Sequence, residues 1–376
     1  MTGRSGPQPP RKPPPPIPVT ILTGFLGAGK TTLLNKLLAA PELSDTVVLI
    51  NEFGEIGLDH LLVESVEGDM LLMSSGCVCC TIRGDLIATL EDLLRRRDNG
   101  RMTPFRRVVI ETTGLADPAP VLQTIPAHPY LVMRYVIDGV VTLIDAVNGG
   151  ATLDAHLEAV KQAAVADRIV LTKTDLVADE ADTLADLRAR LTALNPTARI
   201  LVAQAGEADA RALLDCGPYD PTGKISDVSA WLNAEALTDA HGHAHDPNRH
   251  DASIRAFCLT ADAPISPAGF DAFVSMLRQA QGPKLLRVKG IVALSDDPAR
   301  PVVVHGVQHV FHPPVRLERW PDQDHRTRLV FIVKDLSRDF VERFFAAATG
   351  AIGVDEPDLQ ARGANPLAMR SGGLLA

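Results

Sequence analysis

Eight consecutive residues, Gly24-Phe25-Leu26-Gly27-Ala28-Gly29-Lys30-Thr31, match the pattern G-x-x-x-x-G-K-[ST]. Each residue type in that pattern has a physical task around a polyphosphate. Glycines let the backbone curl so that its N–H groups face inward, and a helix starting at Lys30 adds its positive end. Lys30 supplies a point cation for the β and γ phosphates, and Thr31 offers a hydroxyl to Mg²⁺. Gly24, Gly27, Ala28, Gly29, Lys30, Thr31 and Thr32 are therefore the candidates for cradling a nucleotide.

Two downstream stretches supply what such a loop lacks. Val108-Val109-Ile110-Glu111-Thr112-Thr113-Gly114 is an apolar run ending in a carboxylate and a glycine. At a strand end beside the loop, Glu111 can enter the magnesium shell and the Gly114 N–H can meet a γ-phosphate. Taken alone, the run is also an ordinary buried strand with a polar end. Thr172-Lys173-Thr174-Asp175 comes close to the N-K-x-D pattern that reads guanine. Asp175 would accept from the base N1–H and exocyclic amine, with the Lys173 stem on the ring face. Thr172 stands where Asn is usual, and the pattern favours guanine over adenine.

The sequence has five cysteines, and three of them, Cys77, Cys79 and Cys80, crowd into four positions after Gly76. Thiolates prefer Zn²⁺ or Cu⁺ among intracellular metals. The triplet supplies three ligands, so a fourth must be water, a carboxylate such as Glu55, or a group from a partner protein. A redox thiol pair or a packed cluster is the competing interpretation, and isolated Cys216 and Cys258 read as small buried hydrophobes. The run Asn51-Glu52-Phe53-Gly54-Glu55 lies between phosphate loop and cysteines, where Glu52 or Glu55 can link a γ-phosphate switch to the metal. A second metal-binding candidate is His241, His243 and His245, with His250, whose neutral imidazoles suit Zn²⁺, Co²⁺ or Ni²⁺ as a loading loop.

These groups need a scaffold. The 376 residues carry 37 basic and 46 acidic side chains, a formal charge of -9, which suits a soluble acidic protein and argues against nucleic acid as partner. Apolar residues make up 46%, enough for packed cores, and the stretch from Tyr130 to Val147 is interrupted by Arg134, Asp138 and Asp145, so no spanning helix or membrane partner is expected. The Pro-rich residues 1–17 lack a secretory h-region and read as a disordered tail, with the protein expected in the cytoplasm. Strands are predicted at Pro18–Thr23, Thr46–Asn51, Arg107–Glu111, Gly139–Ile144, Ile169–Thr172 and Arg199–Val202. Helices are predicted at Lys30–Ala39, Asp85–Arg97, His156–Ala164 and Glu180–Leu194. This alternation implies an α/β fold: a P-loop NTPase domain over 18–218 with a mainly parallel sheet covered by helices. Pro, Gly, Asp and His break the pattern over 219–251, a linker. Over 252–350 follows a smaller α+β domain, with strands at Ser253–Thr260, Leu285–Leu294, Val302–Val307, His309–Arg316 and Arg328–Val333 and helices at Pro267–Gln279 and Arg338–Ala348. Residues 351–376 read as a flexible tail.

The combination resembles the CobW-like P-loop GTPases, a family that includes zinc metallochaperones and proteins associated with cobalamin synthesis. The matching pieces are TGFLGAGKTTLLN from Thr23, NEFGEIGLD from Asn51, SGCVCC from Ser75, ETTGLADP from Glu111 and TKTDL from Thr172. Lys284–Gly290 and Val307-Gln308-His309 look like the family's smaller domain. The resemblance implies slow, metal-responsive GTP hydrolysis that delivers a transition metal, usually zinc, to a client metalloprotein. Lys30, Thr31, Glu111 and Glu52 would act in catalysis, while GTP, Mg²⁺ and Zn²⁺, or Co²⁺ in a cobalamin-linked chaperone, would be bound. A nucleotide- and metal-sensing regulatory switch is the alternative output, and a homodimer is compatible with either.

Overall fold

The computed structural model describes residues 14–50, 72–74, 82–178, 181–214 and 254–350. Its first half is built on seven parallel strands: β1 (Ile17–Gly24), β2 (Thr46–Ile50), β3 (Leu72–Ser74), β4 (Arg107–Glu111), β5 (Tyr135–Asp145), β6 (Arg168–Thr172) and β7 (Arg199–Val202), in the order β3-β2-β4-β1-β5-β6-β7. Central strands of such a sheet are covered on both faces, which is why β1, β4 and β6 read as continuous apolar runs rather than alternating ones. Helices α1 (Lys30–Leu38), α2 (Ile82–Asp98), α3 (Ala119–Ala127), α4 (Leu131–Arg134), α5 (Gly149–Ala155), α6 (Leu157–Ala164), α7 (Ala181–Leu194) and α8 (Ala210–Leu213) connect them. Leu90, Leu94, Val121 and Ile125 pack from α2 and α3 onto Val19 and Ile21, whereas Leu33, Leu34 and Leu37 of α1 pack onto Leu22, Val109 and Leu143. Because the strands are parallel, the carboxyl ends that carry Thr23, Glu111, Asp145 and Thr172 lie along one edge of the sheet.

The second half is an antiparallel sheet of β8 (Ile254–Ala261), β9 (Leu285–Val292), β10 (Val302–Val307), β11 (Val310–Phe311), β12 (Val315–Arg316) and β13 (Thr327–Lys334). Helices α9 (Pro267–Gln281) and α10 (Arg338–Thr349) cover one face, where Phe257, Phe270, Phe273, Phe331 and Phe345 pack together in one cluster. Ser266 and Ser337 cap these helices through Gly269 N and Phe340 N. The opposite face lies on the first half: Ile254, Leu286 and Ile332 share a cluster with Leu187 and Leu191 of α7. Beneath them Arg287 donates to Val165 O at 2.7 Å and to Asp167, which Lys289 also meets at 2.6 Å.

The expected segments are present with several corrections. His309–Arg316 is not one strand, because Pro313 and Pro314 remove ladder donors and leave two short pieces, β11 and β12. Strand β5 begins four residues earlier than Gly139, since buried Asp138 is paired with Arg107 and accepts from Thr20 Oγ1 rather than being exposed to solvent. Helices α3, α4, α5 and α8 and strand β3 were not expected. No helix among the described residues is long and apolar enough to cross a membrane. The expected amino-terminal tail is too long by one residue, since apolar Ile17 is buried as the first residue of β1. Residues 1–13 and 351–376, the 219–251 linker, Glu52, Glu55, Cys77, Cys79, Cys80, Cys216, His241, His243, His245 and His250 lie outside the described residues. Cys258 is buried in β8, as its isolation suggested.

Candidate nucleotide site

β1 runs into the phosphate loop at Gly24. Gly24, Gly27 and Gly29 have φ of 143°, 73° and 88°, values that a side chain strongly disfavours, so the curl of the loop depends on glycine at each. Gly24 has a further reason: a Cβ there would stand 2.6 Å from Leu143 O. Gly29 caps α1 without any side-chain bond to the first-turn amides, which leaves that helix terminus with donors suited to an anion. Lys30 Nζ folds back over the loop, donating to Gly24 O at 2.9 Å and Phe25 O at 3.3 Å. Thr31 Oγ1 donates to Glu111 Oε1 at 3.3 Å, joining the start of α1 to the end of β4. Thr32, next along α1, is exposed.

Glu111 is buried at the level of Leu22 on β1 and Ile50 on β2. Thr112 Oγ1 continues the seam by donating to Thr23 Oγ1 at 2.7 Å. Thr113 Oγ1 is buried and finds no hydrogen-bond partner among the described residues. Gly114 presses on the phosphate loop so closely that a Cβ would meet Leu26 N at 2.6 Å. Thr31, Glu111 and Thr113 together form a set of hard oxygen donors, the type that Mg²⁺ selects, so these residues fit that ion.

The T-K-T-D segment abuts the same loop. Thr172 Oγ1 donates to Ala28 O at 2.9 Å, so the hydroxyl that replaces the usual Asn amide ties the end of β6 to the phosphate loop. Lys173 takes the left-handed conformation, φ 57°, and its Nζ pairs with Asp145 Oδ2 at 2.7 Å. Burial of Asp145 opposes its charge, but the Lys173 ammonium, the Val147 amide and Asn148 outweigh it and hold the carboxyl below the usual range. Thr174 Oγ1 donates to Gln204 Oε1 at 3.2 Å in the loop after β7. Asp175 stands exposed in a 3₁₀ turn, Thr174–Val177.

Sequence reasoning missed Asp145, Gln204, Lys161 and Gln162. Only Asp145, an acid at the end of an apolar run, carried a local signal. Among the described residues no group of three or more His, Cys, Asp or Glu gathers to hold a metal. In strand β3, Ser74 is level with Ile50, which is level with Glu111. Two strand spacings, about 10 Å, separate Ser74 from Glu111, and Cys77 follows three residues later in the sequence.

Comparison with known proteins agrees with this arrangement. Residues 18–202 match the CobW/HypB/UreG nucleotide-binding domain, and residues 254–349 match the cobalamin synthesis protein cobW C-terminal domain. The zinc chaperone YjiA of Escherichia coli (strain K12) is 33% identical over 332 residues, covering 88% of this chain and 98% of that one. Zinc-regulated GTPase metalloprotein activator 1 of Schizosaccharomyces pombe is 34% identical over 279 residues, 70% of this chain and 66% of that one. The crystal structure of the Zn(II)-bound YjiA GTPase from E. coli superposes with a TM-score of 0.67 at 30% identity, covering 89% of this chain and 99% of that one.

Proposed function

Because the chain belongs to the CobW family of P-loop nucleotide-binding proteins, we propose that it hydrolyses GTP to capture a transition-metal ion, zinc foremost, and deliver it to a client metalloprotein. The names of its relatives support zinc as cargo and GTP as nucleotide. The observation that supports the coupling is the register Glu111, Ile50, Ser74, which sets Ser74, three residues before Cys77 in the sequence, level with the Glu111 end of β4.

In this reading Lys30 exchanges the carbonyls of Gly24 and Phe25 for β and γ phosphate oxygens. Gly24, Gly27, Ala28 and Gly29 wrap the phosphates with backbone donors, and the amino end of α1 faces the same charge. Thr31 and Glu111 would hold Mg²⁺, which would supply positive charge to offset the negative charge developing on the transferring phosphoryl group. Gly114 approaches the third phosphate from the β4 side. Thr172 fastens the base segment to the loop, Lys173 lies under the ring and Asp175 accepts from guanine. The cargo ion is taken by Cys77, Cys79 and Cys80, with Glu55 as a fourth ligand and Glu52 linking it to the γ-phosphate; His241, His243 and His245 form a loading site.

Thiolate ligation requires deprotonation, so zinc affinity falls as pH drops below neutrality. The deciding experiment is competition against a zinc chelator with GDP and with a non-hydrolysable GTP analogue, repeated on the triple Cys→Ser variant. Zinc bound ~5- to 150-fold more tightly with the GTP analogue is the expected coupling. Equal affinities defeat the coupling, and an unchanged variant moves the primary site to the histidines. GTP-dependent docking to a partner without metal transfer would make the protein a sensor instead.

A further inference from the structure

The loop between β4 and α3 is gripped from behind by two adjacent residues of α6. Gln162 Nε2 donates to Gly114 O at 3.1 Å and to Ala116 O at 3.0 Å, and Lys161 Nζ pairs with Asp117 Oδ2 at 2.8 Å. Gln162 is fully buried, and its Oε1 has no hydrogen-bond partner among the described residues. A glutamine at an apolar packing position with one unpaired amide oxygen is unfavourable for folding alone. Its two donor bonds to the loop are what the arrangement gains in return.

Those bonds fix backbone orientation. Peptide groups are planar and trans, so holding the carbonyls of Gly114 and Ala116 toward α6 turns the N–H groups of Leu115 and Asp117 away from it. From the front, the Leu26 backbone stops Gly114 from moving toward the phosphate loop. The helix itself is held, since Thr142 Oγ1 of β5 donates to Gln162 O at 2.8 Å. The loop is thus set from behind by α6 and from the front by the Leu26 backbone.

We propose that Gln162, assisted by Lys161, is a positioning residue that sets the Gly114–Asp117 loop to read the third phosphate and thereby fixes the preference for GTP over GDP. This rests on the GTPase reading above. GTP and GDP share base, ribose and two phosphates. A residue acting only through this loop therefore changes their affinity ratio, while a residue acting on general folding changes both affinities together.

The test uses the full chain with Gln162→Met, which keeps side-chain length and deletes both donors, and Lys161→Met, at a partly exposed position. Affinities for fluorescent GDP and for a fluorescent non-hydrolysable GTP analogue are measured alongside thermal melting, kcat and KM. Gln162→Met is expected to lower the GTP-analogue to GDP affinity ratio by about fivefold or more, with GDP affinity held within about twofold. The KM for GTP rises and kcat falls, and Lys161→Met moves the ratio in the same direction by a smaller factor. Parallel loss for both nucleotides, or an unchanged ratio in both variants, overturns the proposal while leaving the GTPase reading intact. If Gln162→Met does not fold, the ratio in Lys161→Met decides. Wild-type protein that binds neither guanine nucleotide overturns the GTPase reading itself, and the proposal with it.

Discussion

Replacing Thr172 with Val tests whether the departure from the usual guanine motif is a working substitute. Valine keeps the shape of threonine but deletes the hydroxyl that donates to Ala28 O at 2.9 Å. Both groups are buried, so Ala28 O loses its partner without gaining water. An acceptor left unpaired in that way costs about 1 to 3 kcal/mol. If that cost falls wholly on the nucleotide-bound loop, affinity drops about 5- to 150-fold. Because Ala28 lies in the phosphate loop and not at the base, GTP, GDP and ATP should weaken by the same factor. Thr172→Ser keeps the hydroxyl and should stay within about twofold of wild type. Fluorescent-nucleotide titration of the three proteins with the three nucleotides measures this. Identical behaviour of the Val and Ser variants would refute the tether. A loss confined to guanine nucleotides would refute it too, since Thr172 would then be reading the base.

Lys30→Ala should abolish hydrolysis and weaken all nucleotides while leaving the far-ultraviolet dichroism unchanged, and wild-type turnover in this variant removes the enzyme assignment. Asp175→Asn should lower GTP affinity by about 1 to 3 kcal/mol and leave ATP unmoved, because a two-donor edge meets a mixed donor and acceptor; equal competition by GTP and ATP against the wild type discards the guanine reading. Acid should destabilise the interface of the two sheets, where burial and then the Arg287 cation push His312 down to about 4, and burial with Lys289 and Arg287 lowers His305. The unfolded chain takes up protons below pH 6.5 that these rings refuse when folded, so stability is complete above pH 6.5 and falls as pH drops toward about 4, by at most about 3 kcal/mol for His312. Melting temperature against pH, compared with His312→Gln, checks this, and a flat profile would show that the rings are not shielded.

What the sequence revealed and what it hid differ in the range of the forces involved. Gly24, Gly27, Gly29 and Lys30 were legible because a tight phosphate turn demands glycine at neighbouring positions, a purely local constraint. Lys173 and Asp175 stood out through the local T-K-T-D pattern, whereas Asp145, the partner of Lys173, is 28 positions away and was marked only as an acid closing an apolar run. Gln162 lies 48 and 46 positions from the carbonyls it holds, and nothing in the periodicity of α6 marks it. Helix α3 escaped because Pro118, Pro120 and Pro126 look like punctuation; two of them sit at the helix start, where no amide is missed. The short strand β3 offered three residues in which to detect a period of two.

The joint between the two halves constrains how a nucleotide signal can travel. Asp167 sits directly before β6, the strand that ends in Thr172, and its carboxylate accepts from Val140 N at 2.9 Å as well as from Arg287 and Lys289. Burial works against its charge, but the two cations hold it well below the ordinary aspartate range, and burial in turn lowers Lys289 to about 8. Breaking such a pair exposes an uncompensated charge, and the apolar contacts of Ile254, Leu286 and Ile332 with α7 add to the cost of parting the sheets. The two halves are thus joined like a core, and hinge motion between them is the expensive route. The cheaper one is α6, an eight-residue helix whose Lys161 and Gln162 hold the Gly114–Asp117 loop while Arg287 holds the carbonyl of Val165 just past its end. A shift of that loop therefore reaches the second sheet through a single turn of helix, and Gln123 of α3, bonded to Gln308 beside β11, gives it a second point of contact.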